Sequence, residues 1–148
     1  MEKTNSYSYL KEIKIGEFIK KRVSECDIDA QRICKSLKID EKELEDIYSS
    51  SKVSTEILLG FSKLLDYDFF RLYSQHLILY APASIIGEEK QPPKSSLPSF
   101  RKNIYTKEII DFVLELIHSQ TKTKNQIIEE YRIPKTTLYK WISKYGNS

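Results

Sequence analysis

Lys135, Thr136, Thr137, Tyr139, Lys140 and Lys144 crowd into a short stretch near the end of the 148-residue sequence. Ammonium groups and hydroxyls are hydrogen-bond donors for anions, so their chemistry is recognition of a polyanion rather than the making of bonds. Residues with bond-making potential are scarce. The two histidines, His76 and His118, stand alone, with no nucleophile or carboxylate partner arranged around them. Cys26 and Cys34 have no His or further Cys nearby, and a metal needs three or four converging ligands, so no metal site and no cofactor are expected. Both cysteines read as small buried apolar side chains. Four glycines leave no phosphate-cradling glycine-rich loop. No catalytic residues are assigned, and the chain is expected not to be an enzyme.

The charge distribution agrees with a polyanion partner. The formal net charge is only +3, but residues 1–90 carry 14 basic and 16 acidic side chains while residues 91–148 carry 10 and 5. A surplus confined to one half points to nucleic acid or an anionic surface for that half. No apolar run is long enough to span a bilayer, and Met1–Leu10 is too polar for a signal peptide. The expected location is the cytoplasm, associated with a bacterial nucleoid, with no membrane partner.

The elements that must position these groups are helices. Apolar residues recur at steps of three and four nearly everywhere outside 81–104, and β-branched runs are too short for a sheet, so the predicted class is all-α. The exceptional interval holds Pro82, Pro92, Pro93, Pro98, Ser95, Ser96 and Gly87. Prolines remove backbone donors and exclude the α region from the residue before them. Two small helical domains follow, 10–81 and 105–146, joined by a linker and basic arm over 82–104.

The first domain reads as five helices. Ile15, Phe18, Ile19 and Val23 stripe the first, and Asp29 is an N-cap for a second that buries Ile33, Cys34 and Leu37. Asp40 and Glu43 have capping-box spacing for a third with Leu44 and Ile47 inward. Ile57, Leu58, Phe61, Leu64 and Leu65 line the fourth. Asp68 caps a fifth with Phe69, Leu72, Tyr73, Leu77 and Tyr80 inward.

The run Ile15-Gly16-Glu17-Phe18-Ile19-Lys20, and Asp29 through Asp40 with Cys34 at the small-residue position, resemble the first two helices and the turn of Cro and lambda-type phage repressor domains. That resemblance covers roughly 50 residues, through Leu65, and implies a helix-turn-helix. Two positions depart from it: Lys38 stands where the turn usually has Gly, and the third helix, Glu41–Tyr48, carries four acids and one base. Carboxylates held against phosphates repel, and they forfeit the counterion release that drives nonspecific affinity. The first domain is therefore expected to pair with itself or dock a protein partner, with an unpartnered solvated face as the alternative.

In the second domain a first helix starts near Thr106, with Ile109, Ile110, Val113, Leu116 and Ile117 inward. Thr123 and Gln126 have capping-box spacing for a second, which buries Ile127, Ile128 and Tyr131. Arg132 and Ile133 form a turn, Pro134 sits at the first helical position, and the third helix turns Leu138, Trp141, Ile142 and Tyr145 inward. Thr136 and Lys140, four apart, share an outward face and can reach base edges in a major groove. Lys135, Thr137, Tyr139 and Lys144 suit phosphates, which fix register without carrying sequence information. Arg101 and Lys102 stand where an arm could enter the minor groove. Lys122 and Lys124 read as a solvated capping segment.

The stretch Glu130–Gly146, with Tyr105–Ile110, resembles the N-terminal helix-turn-helix of insertion-sequence transposases. It is also similar to the DNA-binding tail of serine invertases, which carries a Ser/Thr-Thr-Leu-Tyr-Arg run. The match spans about 40 residues and implies base contacts from Thr136 and Lys140 and phosphate contacts from Thr137 and Tyr139. Lys140 stands where that family has Arg, so a point charge replaces a bidentate fork. The expected function is sequence-specific binding of double-stranded DNA by the C-terminal third helix, in a transcriptional regulator or a transposase-associated recognition subunit. The alternative is an adaptor acting through the acidic first domain, residues 10–81, as a homodimer or with another protein.

Overall fold

The computed structural model describes residues 7–80, 95–98 and 105–146. The fold is all-α, with helices α1 (Ser8–Lys11), α2 (Ile15–Cys26), α3 (Ala30–Leu37), α4 (Glu41–Ser49), α5 (Thr55–Leu64), α6 (Phe70–Tyr80), α7 (Lys107–His118), α8 (Lys124–Tyr131) and α9 (Lys135–Tyr145). The chain divides into two compact units, Met1–Ser74 and Gln75–Ser148, with the division inside α6.

In the first unit the core gathers Ile15 and Ile19 of α2, Ile33 of α3, Leu44 of α4, and Leu58 and Phe61 of α5, closed by Leu65, Phe69 and Leu72. Side chains of this size each contribute about 1.5–3 kcal/mol when fully buried. α2 packs on α4, and α3 packs on α4 and α5. Gly16 sets the first approach. Its N–H donates to the Ser50 carbonyl at 3.1 Å. A Cβ at position 16 would lie 2.6 Å from the carbonyl oxygens of Ser50 and Tyr48 and against that of Ile47. Only a residue without a side chain lets α2 touch the end of α4 in this way.

The helix ends are closed by local chemistry. Asp40 and Glu43 form the expected capping box: the Glu43 N–H donates to Asp40 Oδ1 at 2.7 Å, and the Asp40 N–H to Glu43 Oε2 at 2.9 Å. Lys38 does take up a left-handed conformation, φ 56 and ψ 43, and ends α3. At the end of α5 the Leu65 carbonyl accepts from Arg22 Nε at 3.3 Å, while the Arg22 guanidinium lies 5.5 Å from the Tyr67 ring centroid.

Three expectations need correction. Asp29 holds the N-cap position of α3, but its side chain makes no capping bond. Tyr73 and Leu77 of α6 face outward, 38% and 60% exposed, and the buried positions are Leu72, Gln75 and Leu79. Leu72, Gln75 and Leu79 lie at steps of three and four on one helical face, and Gln75 Nε2 donates to Thr106 Oγ1 at 2.9 Å. In α7 the buried side chains are Ile109, Phe112, Val113 and Leu114, while Ile110, Leu116 and Ile117 are half-buried.

Candidate nucleic-acid interface

The second unit is built to hold α9. Both α7 and α8 pack against it. Leu138 is wholly buried and Trp141 nearly so, and the Trp141 ring meets Tyr105 edge-on at 4.9 Å between centroids. α8 begins with the expected capping box, Thr123 Oγ1 accepting from the Gln126 N–H at 3.2 Å and Gln126 Oε1 from the Thr123 N–H at 2.9 Å. It ends at Arg132, left-handed at φ 52 and ψ 35. Ile133 is buried in the turn, and Pro134 serves as N-cap rather than first helical residue, its carbonyl accepting from the Leu138 N–H at 3.0 Å.

With positions 138 and 141 inward, the helical period turns 135, 136, 139, 140, 143 and 144 out. Lys135, Thr136, Tyr139, Lys140 and Lys144 are exposed and Thr137 is half-buried. Thr136 and Lys140 lie one turn apart on that face, as their spacing requires. Tyr145 was expected inward but is 38% exposed, with Lys144 Nζ 5.2 Å from its ring centroid. It sits in the last turn of α9, beyond the Leu138 and Trp141 anchors. Arg101 and Lys102, the expected minor-groove arm, lie outside the described residues, as does most of the 82–104 linker.

The sequence of α9 contains no carboxylate. Among the described residues Lys124, Lys135, Lys140 and Lys144 make no ion pair, whereas Lys122 is paired with Glu130. Lys124, the first residue of α8, brings its Nζ to 5.3 Å from the Tyr139 ring centroid, and Lys135 Nζ lies 5.7 Å from the same centroid. In sequence alone Lys122 and Lys124 look alike, both part of a solvated capping segment. The available signal was the capping box, which fixes Lys124 at the start of α8.

Two tyrosines of this unit feel their burial. Burial, reinforced by the Glu130 carboxylate, raises the Tyr131 phenol above its ordinary value. Tyr80, whose ring lies edge-on to Tyr131 at 6.3 Å, is raised chiefly by burial.

Helix α4 of the first unit has the opposite character. Glu41, Glu43, Glu45 and Asp46 of α4 are all exposed. Glu43 is engaged in the capping box, which leaves Glu41, Glu45 and Asp46 as outward carboxylates with no ion pair among the described residues. Among those residues no three His, Cys, Asp or Glu side chains are gathered to hold a metal ion. No helix there is long and apolar enough to cross a membrane.

Compared with known proteins, the chain matches no family model, no curated protein and no solved structure.

Proposed function

We propose that the chain is a sequence-specific double-stranded DNA-binding protein that reads the major groove with α9. It would act as a transcriptional regulator or as the recognition subunit of a mobile element, without catalysis of its own. The observation that carries this reading is the set of exposed ammonium groups that make no ion pair among the described residues: Lys135, Lys140 and Lys144 on α9, which has no carboxylate and is anchored by Leu138 and Trp141, with Lys124 at the start of α8. Water solvates exposed ammonium groups well, so leaving them unpaired costs the fold little. A polyanion gains from meeting several on one helix face, because each neutralised phosphate releases a condensed counterion. In this reading Thr136 and Lys140 address base edges, while Lys135, Thr137, Tyr139 and Lys144 grip the backbone.

The test is binding of the full chain to duplexes over a series of salt concentrations. With four to six phosphate contacts the log–log slope should be about −4 to −5. Binding that is absent in dilute buffer, or indifferent to salt, overturns the proposal.

The outward carboxylates Glu41, Glu45 and Asp46 favour a different task for the first unit, pairing with a second copy or docking a protein. That task is compatible with DNA reading by the second unit, since two linked recognition units multiply affinity through effective concentration. Sedimentation of the full chain across a concentration series tests self-pairing; a monomer throughout leaves only the protein-partner form.

A further inference from the structure

Lys122 and Lys124 are two residues apart, and the fold gives them opposite surroundings. Lys122 is ion-paired with Glu130 and lies 5.7 Å from the Tyr131 ring centroid, so its charge is already answered. Lys124 is exposed and makes no ion pair among the described residues. Its ammonium instead converges with that of Lys135 on the ring of Tyr139, which is 44% exposed. The electron-rich face of an aromatic ring attracts each ammonium. Neither ammonium makes an ion pair among the described residues. An anion bound beside this ring would be attracted by both charges and offered the Tyr139 hydroxyl as a donor.

We propose that Lys124, Lys135 and Tyr139 together form one binding point for a backbone phosphodiester of duplex DNA. The inference rests on the reading of α9 as the DNA-contacting helix and extends the site to a second element. Lys124 comes from α8 and the other two from α9, so a single phosphate is gripped from two helices. A grip shared with α8 ties both helices to the DNA backbone. The aromatic ring also restrains two flexible lysine stems before any ligand arrives, so less side-chain freedom is lost on binding.

The experiment compares the full chain with Lys124→Ala, Lys122→Ala and Tyr139→Phe on a selected duplex and a scrambled one, over a salt series. Lys124→Ala should reduce the magnitude of the log–log slope by about 1, the mark of one lost phosphate contact, and weaken both duplexes by the same factor. Lys122→Ala should leave the slope unchanged, because Glu130 already neutralises that ammonium. Tyr139→Phe should weaken both duplexes alike through the lost hydroxyl while keeping the slope, since both lysine charges remain. The Thr123–Gln126 capping box is untouched by these changes, and Lys124→Gln checks that the effect follows charge rather than helix content. A wild-type slope in Lys124→Ala overturns the inference and leaves the proposed function standing. An equal fall in Lys122→Ala also overturns it, because the effect is then one of general charge. If the unaltered chain binds no duplex in dilute salt, both the inference and the proposed function fall.

Discussion

Lys38 and Arg132 hold the same left-handed backbone conformation, φ 56 and ψ 43 in one and φ 52 and ψ 35 in the other, each the first residue of a three-residue turn between helices. Each is followed by an isoleucine, Ile39 half-buried and Ile133 buried, and then by the N-cap residue of the next helix. The two units thus use one local device: a basic residue accepts an unfavourable φ so that the following apolar side chain can turn inward.

That device has a measurable cost. A non-glycine residue in this region gives up about 1–2 kcal/mol. Glycine escapes that cost but loses about 0.4–1 kcal/mol through the greater freedom of its unfolded chain. Lys38→Gly should therefore be neutral or stabilising by up to about 1.6 kcal/mol, whereas the β-branched Lys38→Val should destabilise by about 1–3 kcal/mol. Urea unfolding midpoints decide the matter, and a marked loss in Lys38→Gly would show that the lysine side chain contributes something the turn geometry does not.

Gly16 offers the opposite case, a position where added bulk meets immovable backbone. Because the three carbonyls facing it belong to the end of α4, Gly16→Ala should destabilise the first unit by about 1–3 kcal/mol or force α2 away from α4. Thermal unfolding followed by circular dichroism would register this. An alanine variant with unchanged stability would mean that the approach of the two helices is slack.

Lys140 and Lys144 should separate by kind of effect. If Lys140 reaches a base edge, Lys140→Ala relaxes the preference at one base pair by about 1–3 kcal/mol and leaves other positions alone. Lys144→Ala should instead weaken all duplexes alike. Selection from randomised duplexes with each variant distinguishes the two, and a uniform loss in Lys140→Ala would reassign it to the backbone.

Tyr131 and Tyr80 predict an alkaline limit. Both phenols are raised by burial above the ordinary value of 10.0, so at high pH the folded chain holds protons that the unfolded chain has released. Stability should be flat through neutrality, begin to fall once pH passes the unfolded value, and go on falling through the higher folded values. Tyr131→Phe should blunt that fall. Urea midpoints against pH, with phenolate absorbance as a second signal, check the sign.

What could be read in the sequence was local. The Asp40–Glu43 and Thr123–Gln126 boxes depend on residues three apart, and the anchors Leu138 and Trp141 follow from helical spacing alone. The buried face of α6 was not legible, because it includes Gln75, whose hydrogen-bond partner is 31 residues away, and a polar side chain gives no hydrophobic signal of its own. For the site, the exposed row of α9 followed from its period. Lys124 escaped because its place beside Tyr139 comes from the packing of α8 on α9, not from either helix alone.

Trp141 is the sole tryptophan of the chain and sits in the unit beginning at Gln75, edge-on to Tyr105. Its ultraviolet emission is therefore a natural beacon for the unit that carries α9, silent about the unit that carries α4. A melt watched by that indole and again by far-ultraviolet ellipticity would give coincident curves if the halves come apart together, and separate curves if each keeps its own counsel.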